Sequence, residues 1–116
     1  MKLALIVDDD AQILELTARW LLAAGYDVVT ASNFVDARTT IQLRKPELVV
    51  TDIRLGDFNG IQLGILARET RPGVHLVIIS GWDDPVLKQD AAQLGATYLQ
   101  KPFRAADLLA AIEPAS

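Results

Sequence analysis

Six side chains carry most of the reactive chemistry in this chain: Asp8, Asp9, Asp10, Asp52, Ser80 and Lys101. Cysteine is absent and His75 is the single histidine. That excludes thiol catalysis, a cysteine-ligated metal site and a disulfide scaffold. What remains is the chemistry of hard oxygen donors. Asp8, Asp9 and Asp52, if brought together, would raise each other's pKa, and a divalent cation would relieve the repulsion. Oxygen ligands without imidazole or thiolate suit Mg²⁺, which keeps several waters beside one or two carboxylates. A carboxylate between such an ion and the Lys101 ammonium is ready to accept an anionic phosphoryl group, because both cations neutralise the incoming oxygens.

Taken singly, each residue has a plainer reading. Asp10 is a helix N-cap and keeps that assignment. Asp8, Asp9 or Asp52 alone would pass as a turn residue at a strand end, and Ser80 or Lys101 alone says almost nothing. Their weight comes from the elements that precede them. Leu3–Val7 is apolar on both faces and reads as a buried strand ending in the three acids. Strands at Leu48–Thr51, Leu76–Ile79 and Tyr98–Gln100 run into Asp52, Ser80 and Lys101 respectively, and a further strand covers Val28–Ala31.

Amphipathic stretches alternate with these runs. The first helix spans Ala11 to Ala24, with Ile13, Thr17, Leu21 and Ala24 on one face, Leu14, Leu16 and Trp20 widening it, and Gly25 as its stop. A second, capped by Ser32 or Asn33, runs through Arg44, and Ile61–Glu69 forms a third. Asp84-Pro85 opens a fourth that stops near Gly95, and Ala105–Ile112 is the last. Ile53–Gly60 reads as a loop. Strand and helix alternating in this way imply an α/β fold: a doubly wound, five-stranded parallel sheet with five helices and the flavodoxin-like order 2-1-3-4-5. Sites in such sheets form at the carboxyl ends of the strands, beside the switch between strands 1 and 3.

Composition agrees with a single domain over residues 1–116. Hydrophobic residues make up 51%, enough for one core, and the formal net charge is −4. An acidic chain repels phosphate backbones, which argues against direct nucleic-acid binding. No apolar run reaches membrane-spanning length, and the short apolar start runs straight into acid, unlike a signal peptide. A cytoplasmic domain is expected.

The ordered set Ile6-Val7-Asp8-Asp9-Asp10, Val49-Val50-Thr51-Asp52-Ile53, Ile78-Ile79-Ser80-Gly81 and Tyr98-Leu99-Gln100-Lys101-Pro102-Phe103 resembles the response-regulator receiver domain of two-component signalling, over essentially the whole chain. The resemblance implies that Asp52 is the phosphoacceptor, that Ser80 closes on the phosphoryl group and that Lys101 pairs with it. It implies Mg²⁺ as cofactor, with Mn²⁺ as a substitute. Asp9, Asp52 and the Arg54 backbone carbonyl would be ligands, and Asp8 would act through water. Tyr98 would be the switch aromatic, turning inward as Ser80 moves and remodelling the helix 4–strand 5–helix 5 face. The implied partners are a sensor histidine kinase or phosphotransfer protein and a downstream output domain or protein, and that face is where a homodimer would form. The domain would be a signalling switch with weak self-dephosphorylation, not a conventional enzyme. A cis Lys101-Pro102 peptide is also expected.

Three positions depart from the family pattern. Gly56 replaces the usual proline four residues after the phosphoacceptor, which points to a more mobile loop. The segment from Gly95 to Lys101 is one residue short. Arg104 stands where a small polar cap is usual, so the last helix should begin less firmly. Arg54 and Trp82 occupy the positions two after the acceptor and two after the switch hydroxyl. Both are large, and both are expected to slow hydrolysis of the phosphoryl group. Trp82 could equally cover the crevice edge or anchor a partner. Trp20 is expected against the sheet rim, and His75 reads as incidental.

Other classes fit less well. A flavin-binding domain needs a Gly/Ser/Thr-rich phosphate loop where this chain has three acids. A phosphohydrolase resembling the haloacid dehalogenases would want an Asp at the place of Arg54, and a cap domain. A degenerate receiver would not need Asp8, Asp9, Asp52, Ser80 and Lys101 together.

Overall fold

The computed structural model describes residues 2–81 and 83–112. Five parallel strands form one sheet: β1 (Leu3–Val7), β2 (Asp27–Ala31), β3 (Leu48–Asp52), β4 (His75–Ser80) and β5 (Thr97–Gln100), in the order β2-β1-β3-β4-β5. This is the expected 2-1-3-4-5 arrangement. The central strands are apolar on both sides because helices cover both. Ala4, Ile6, Leu48, Val50, Val77 and Ile79 pack on one side with Leu21, Leu108 and Ile112, which come from helices α1 (Ala11–Ala23) and α5 (Ala105–Ile112). Leu5, Val7, Val49 and Leu76 pack on the other with α2 (Phe34–Arg44) and α3 (Gly60–Thr70). Ile78 joins Ala91 of α4 (Pro85–Gln93) on that same side. The two-residue alternation of strand side chains thus builds two cores from one set of strands. Edge strands β2 and β5 are only partly buried, as their mixed composition dictates.

The helix boundaries follow local chemistry. Asp10 Oδ1 accepts the N–H groups of Gln12 (2.9 Å) and Ile13 (3.2 Å), so it is the N-cap that its type suggested. Asn33, rather than Ser32, caps α2. Asn59 and Gln62 form a reciprocal capping box at α3, and Asp84 caps α4 with Pro85 in the first turn. Gly25 ends the first αβ turn at φ +97°.

Three expectations change, at Leu16, at Ala24 and in the segment after Asp52. Leu16 is 45% exposed and Ala24 is also exposed, because the core stripe of α1 centres on Thr17 and Leu21 and turns both away from the sheet. The segment after Asp52 is not irregular throughout: Arg54–Leu55 pairs antiparallel with Phe58–Asn59 as a short ribbon. Gly56, at φ +63°, makes its turn, a conformation proline could not adopt. At the start of α5, Asp107 Oδ2 reaches back to accept the Arg104 N–H at 2.9 Å. Among the described residues no helix is long and apolar enough to cross a membrane.

Candidate functional site

Parallel register puts the polar strand ends on one rim. Val7 lies beside Thr51, Asp52 beside Ile79, and Ser80 beside Gln100. Asp8, Asp52, Ser80 and Lys101 therefore emerge together at the carboxyl edge of β1, β3, β4 and β5. Backbone bonds extend the ladder past the strands: Ile53 N–H donates to Ile79 O at 2.7 Å, and Lys101 N–H to Ser80 O at 2.8 Å. The Lys101-Pro102 peptide is cis, as expected.

Asp8 is 2% exposed, Asp52 8% and Ser80 0%, whereas Asp9 is exposed to solvent. Lys101 Nζ lies 3.1 Å from Asp8 Oδ2 and 3.5 Å from Asp52 Oδ2. The ammonium is thus nearer to Asp8 than to Asp52. Asp8 Oδ1 meanwhile accepts the Asp10 N–H at 2.9 Å, so both oxygens of Asp8 already have donors. Burial pushes the Asp52 carboxyl above its ordinary pKa. Asp8 and Asp9 push the same way, against the opposing pull of Lys101 and of the Arg54 backbone N–H that bonds to it. Burial works against the Lys101 ammonium, but attraction to Asp52 and Asp8 outweighs it and its pKa is raised.

One carboxylate oxygen from each of Asp8, Asp9 and Asp52 lies within 4.8 Å of the others. Two of these acids are buried, one is open to solvent, and all three offer oxygen. That donor set fits a hard, partly hydrated cation such as Mg²⁺ and no soft metal. The other sequence-chosen residues are placed as follows. Tyr98 is half-buried and packs with the Ile53, Ile78 and Ala91 cluster, on the same sheet face as Ser80, with Lys88 Nζ 5.5 Å from its ring centroid. Arg54 is exposed in the ribbon just beyond Asp52. Trp82 lies outside the described residues. Trp20 meets Phe103 edge to face at 6.0 Å at the margin of the α1–α5 core. Next to the site, Ile13, Leu16, Trp20, Pro102 and Phe103 line an apolar groove of about 540 Å³ that reaches Lys101.

Three supporting features escaped the sequence reading. Thr51 Oγ1 donates to Asp52 O at 2.9 Å. Gly60 lies so close to the end of β3 that an added Cβ would sit 2.5 Å from Asp52 O. Phe34 stacks on Phe58 of the ribbon. Only Gly60 left a signal, as a small residue at the end of a loop that returns to the sheet.

This topology, with its acidic crevice on the carboxyl rim, is that of a CheY-like α/β domain. The response regulator receiver domain family model matches residues 4–113, and the chain belongs to that family. It is 35% identical to the acid tolerance regulatory protein ActR of Sinorhizobium medicae over 96% of its length, spanning 58% of that protein. The chain thus corresponds to little more than half of that relative. Its fold matches a CheY-like receiver domain from Methanospirillum hungatei with TM-score 0.88 and 32% identity, covering 95% of this chain and 89% of the other. A response regulator from Burkholderia pseudomallei with a phosphorylated aspartic acid, calcium ion and citrate matches with TM-score 0.89 and 28% identity, covering 98% and 68%.

Proposed function

We propose that this domain is a Mg²⁺-dependent phosphorylation switch in the cytoplasm, with Asp52 as the phosphoacceptor. The observation that carries the reading is the Asp52 carboxylate itself: nearly buried at the end of β3, with the Lys101 ammonium 3.5 Å away and Asp8 and Asp9 alongside. A bound Mg²⁺, held by Asp9, Asp52 and the Arg54 carbonyl with Asp8 acting through water, supplies charge neutralisation for the phosphoryl oxygens. An Asp52 oxygen attacks phosphorus of a phosphohistidine on a partner kinase or phosphotransfer protein. The P–N bond breaks, its electron pair stays on the imidazole nitrogen, and an acyl phosphate forms on Asp52. Lys101 orients the oxygens in line, and positioning with electrostatics supplies most of the acceleration. The groove beside Lys101 is a suitable apolar seat for the partner that presents the phosphohistidine.

Ser80 then bonds to the new phosphoryl group and Tyr98 turns toward the space it leaves. The change alters the face formed by α4, β5 and α5, which biases a two-state equilibrium read by an output domain, a separate protein or a second copy of the chain. Treatment with acetyl phosphate and Mg²⁺ should add one phosphoryl group, visible by mass spectrometry, to the parent and not to Asp52→Asn. Undiminished labelling of the variant would sink the assignment. Water later hydrolyses the acyl phosphate, and the large residues two positions after Asp52 and two after Ser80, Arg54 and Trp82, slow that step. Arg54→Ala or Trp82→Ala should speed this decay about tenfold, a barrier change of about 1.4 kcal/mol. Decay as slow as in the parent for both variants would mean that neither residue guards the site.

A further inference from the structure

The ribbon that follows Asp52 is held at its outer strand by an aromatic pair with no part in the phosphoryl chemistry above. Phe58 stacks on Phe34, the first residue of α2, with ring centroids 4.3 Å apart and planes 14° from parallel. Phe34 is itself anchored: Asn33 fixes the helix start by accepting the Asp36 N–H at 2.9 Å, and the Arg38 guanidinium lies 5.9 Å from the Phe34 ring centroid. Phe58 remains 45% exposed, so burial by itself gives little reason for an aromatic there.

The ribbon has two rungs, Leu55 opposite Phe58 and Arg54 opposite Asn59. Two-stranded ribbons are marginal without outside support. Leu55 roots one strand in the core, and the Gly60 N–H closes the base on Ile53 O at 2.8 Å. The stack supplies support on the opposite strand. Phe58 lies opposite Leu55 and next to Asn59, the partner of Arg54, so a shift at Phe58 reaches Arg54 through the adjoining rung. The Arg54 backbone N–H in turn acts on the Asp52 carboxylate two residues before it.

We propose that Phe34 and Phe58 form a clip that fixes the ribbon and thereby holds the Arg54 backbone in register with the Asp52 carboxylate. Both are positioning residues for metal binding at the site. They touch neither metal nor phosphoryl group and act through Arg54. The proposal rests on the Mg²⁺ reading of the acidic crevice, so the test carries a control for that reading.

Mg²⁺ affinity is measured by calorimetric titration, and thermal unfolding is measured separately in EDTA. Phe58→Ala should weaken Mg²⁺ binding roughly tenfold, in the range of supporting groups around metal ligands. Phe34→Ala should do the same, and the double variant should be no worse than either single one, because one loss already opens the clip. Phe58→Tyr keeps the stack and should restore parental affinity. A purely structural aromatic pair would lower the unfolding temperature in EDTA and leave Mg²⁺ affinity alone; that result, in Phe58→Ala or, if it does not fold, in Phe34→Ala, overturns the clip. Asp9→Ala, run in parallel, separates the two failures. Undiminished Mg²⁺ binding there rejects the metal site itself, whereas loss there with unchanged affinity in both Phe variants rejects the clip alone.

Discussion

Asp52 and Lys101 carry pH linkages of the same sign in two separate pH ranges, and both follow from one crevice. A carboxyl whose pKa is raised in the folded state binds its proton more tightly there than in the unfolded chain. Its contribution turns unfavourable as pH rises from the ordinary carboxylate range through the raised value, and stays so above it. Lys101, with its pKa also raised, contributes stability that is complete below the ordinary lysine range and lost as pH climbs through the folded value. At neutral pH, then, Asp52 costs stability and Lys101 restores part of it. Asp52→Asn should stabilise the metal-free domain at pH 7, since Lys101 keeps Asp8 at 3.1 Å. The gain should fade as pH falls through the raised value and be gone below the ordinary carboxylate range, about 4, where the carboxyl is neutral in both states. Urea unfolding in EDTA across that range checks the sign; a gain undiminished at acid pH would remove charge as its cause.

At the scale of elements, the turn from β3 into α3 is set by how closely backbone must approach backbone. Gly60 begins α3 directly against the end of β3, where a Cβ would meet Asp52 O at 2.5 Å and Thr51 Cγ2 at 3.0 Å. A carbonyl in a central strand cannot yield without moving Asp52 itself. Gly64, one turn later, would meet Leu94 Cδ2 at 2.5 Å, the far end of a flexible side chain that can rotate away. Gly60→Ala should therefore destabilise by about 2–3 kcal/mol, the upper part of the overpacking range, and Gly64→Ala by no more than about 1 kcal/mol. Denaturant midpoints for the pair decide the matter, and equal costs would contradict the distinction between backbone and side-chain neighbours.

For the whole molecule, the Mg²⁺ proposed for the acidic crevice would couple ion binding to folding. The unfolded chain scatters Asp8, Asp9 and Asp52, so the ion would bind the folded state selectively. At a concentration about a hundred times Kd that selectivity contributes about 2.7 kcal/mol. For a chain of 116 residues this corresponds to a rise in Tm on the order of 10 °C. The rise should be strongest near neutral pH and shrink in acid as the ligands take up protons. Thermal melts over a Mg²⁺ series provide the measurement. A Tm indifferent to Mg²⁺ at neutral pH would leave the three carboxylates without the ion proposed for them.

Much of this architecture was legible in the order of residues because local rules dictate it. Continuous apolar runs separated by amphipathic stretches require a parallel sheet covered on both sides, and acids, a hydroxyl and an ammonium at the strand ends must then share one rim. Asp10, Asp84 and Gly25 were readable because caps and left-handed turns depend on a few adjacent residues. What only the tertiary structure decided involves residues distant in the chain, or competition between neighbours. Phe34 and Phe58 carry no common period that could announce their stack. Leu16 looked like core until Thr17 and Leu21 took the sheet-facing stripe of α1 and turned it into the groove wall. The Gly56 turn belongs to a ribbon that exists only when Leu55 and Phe58 pair. Lys101 was assigned to the crevice from its place after β5, but its closer approach to Asp8 than to Asp52 follows from sheet register and burial, which exist only once the strands are side by side.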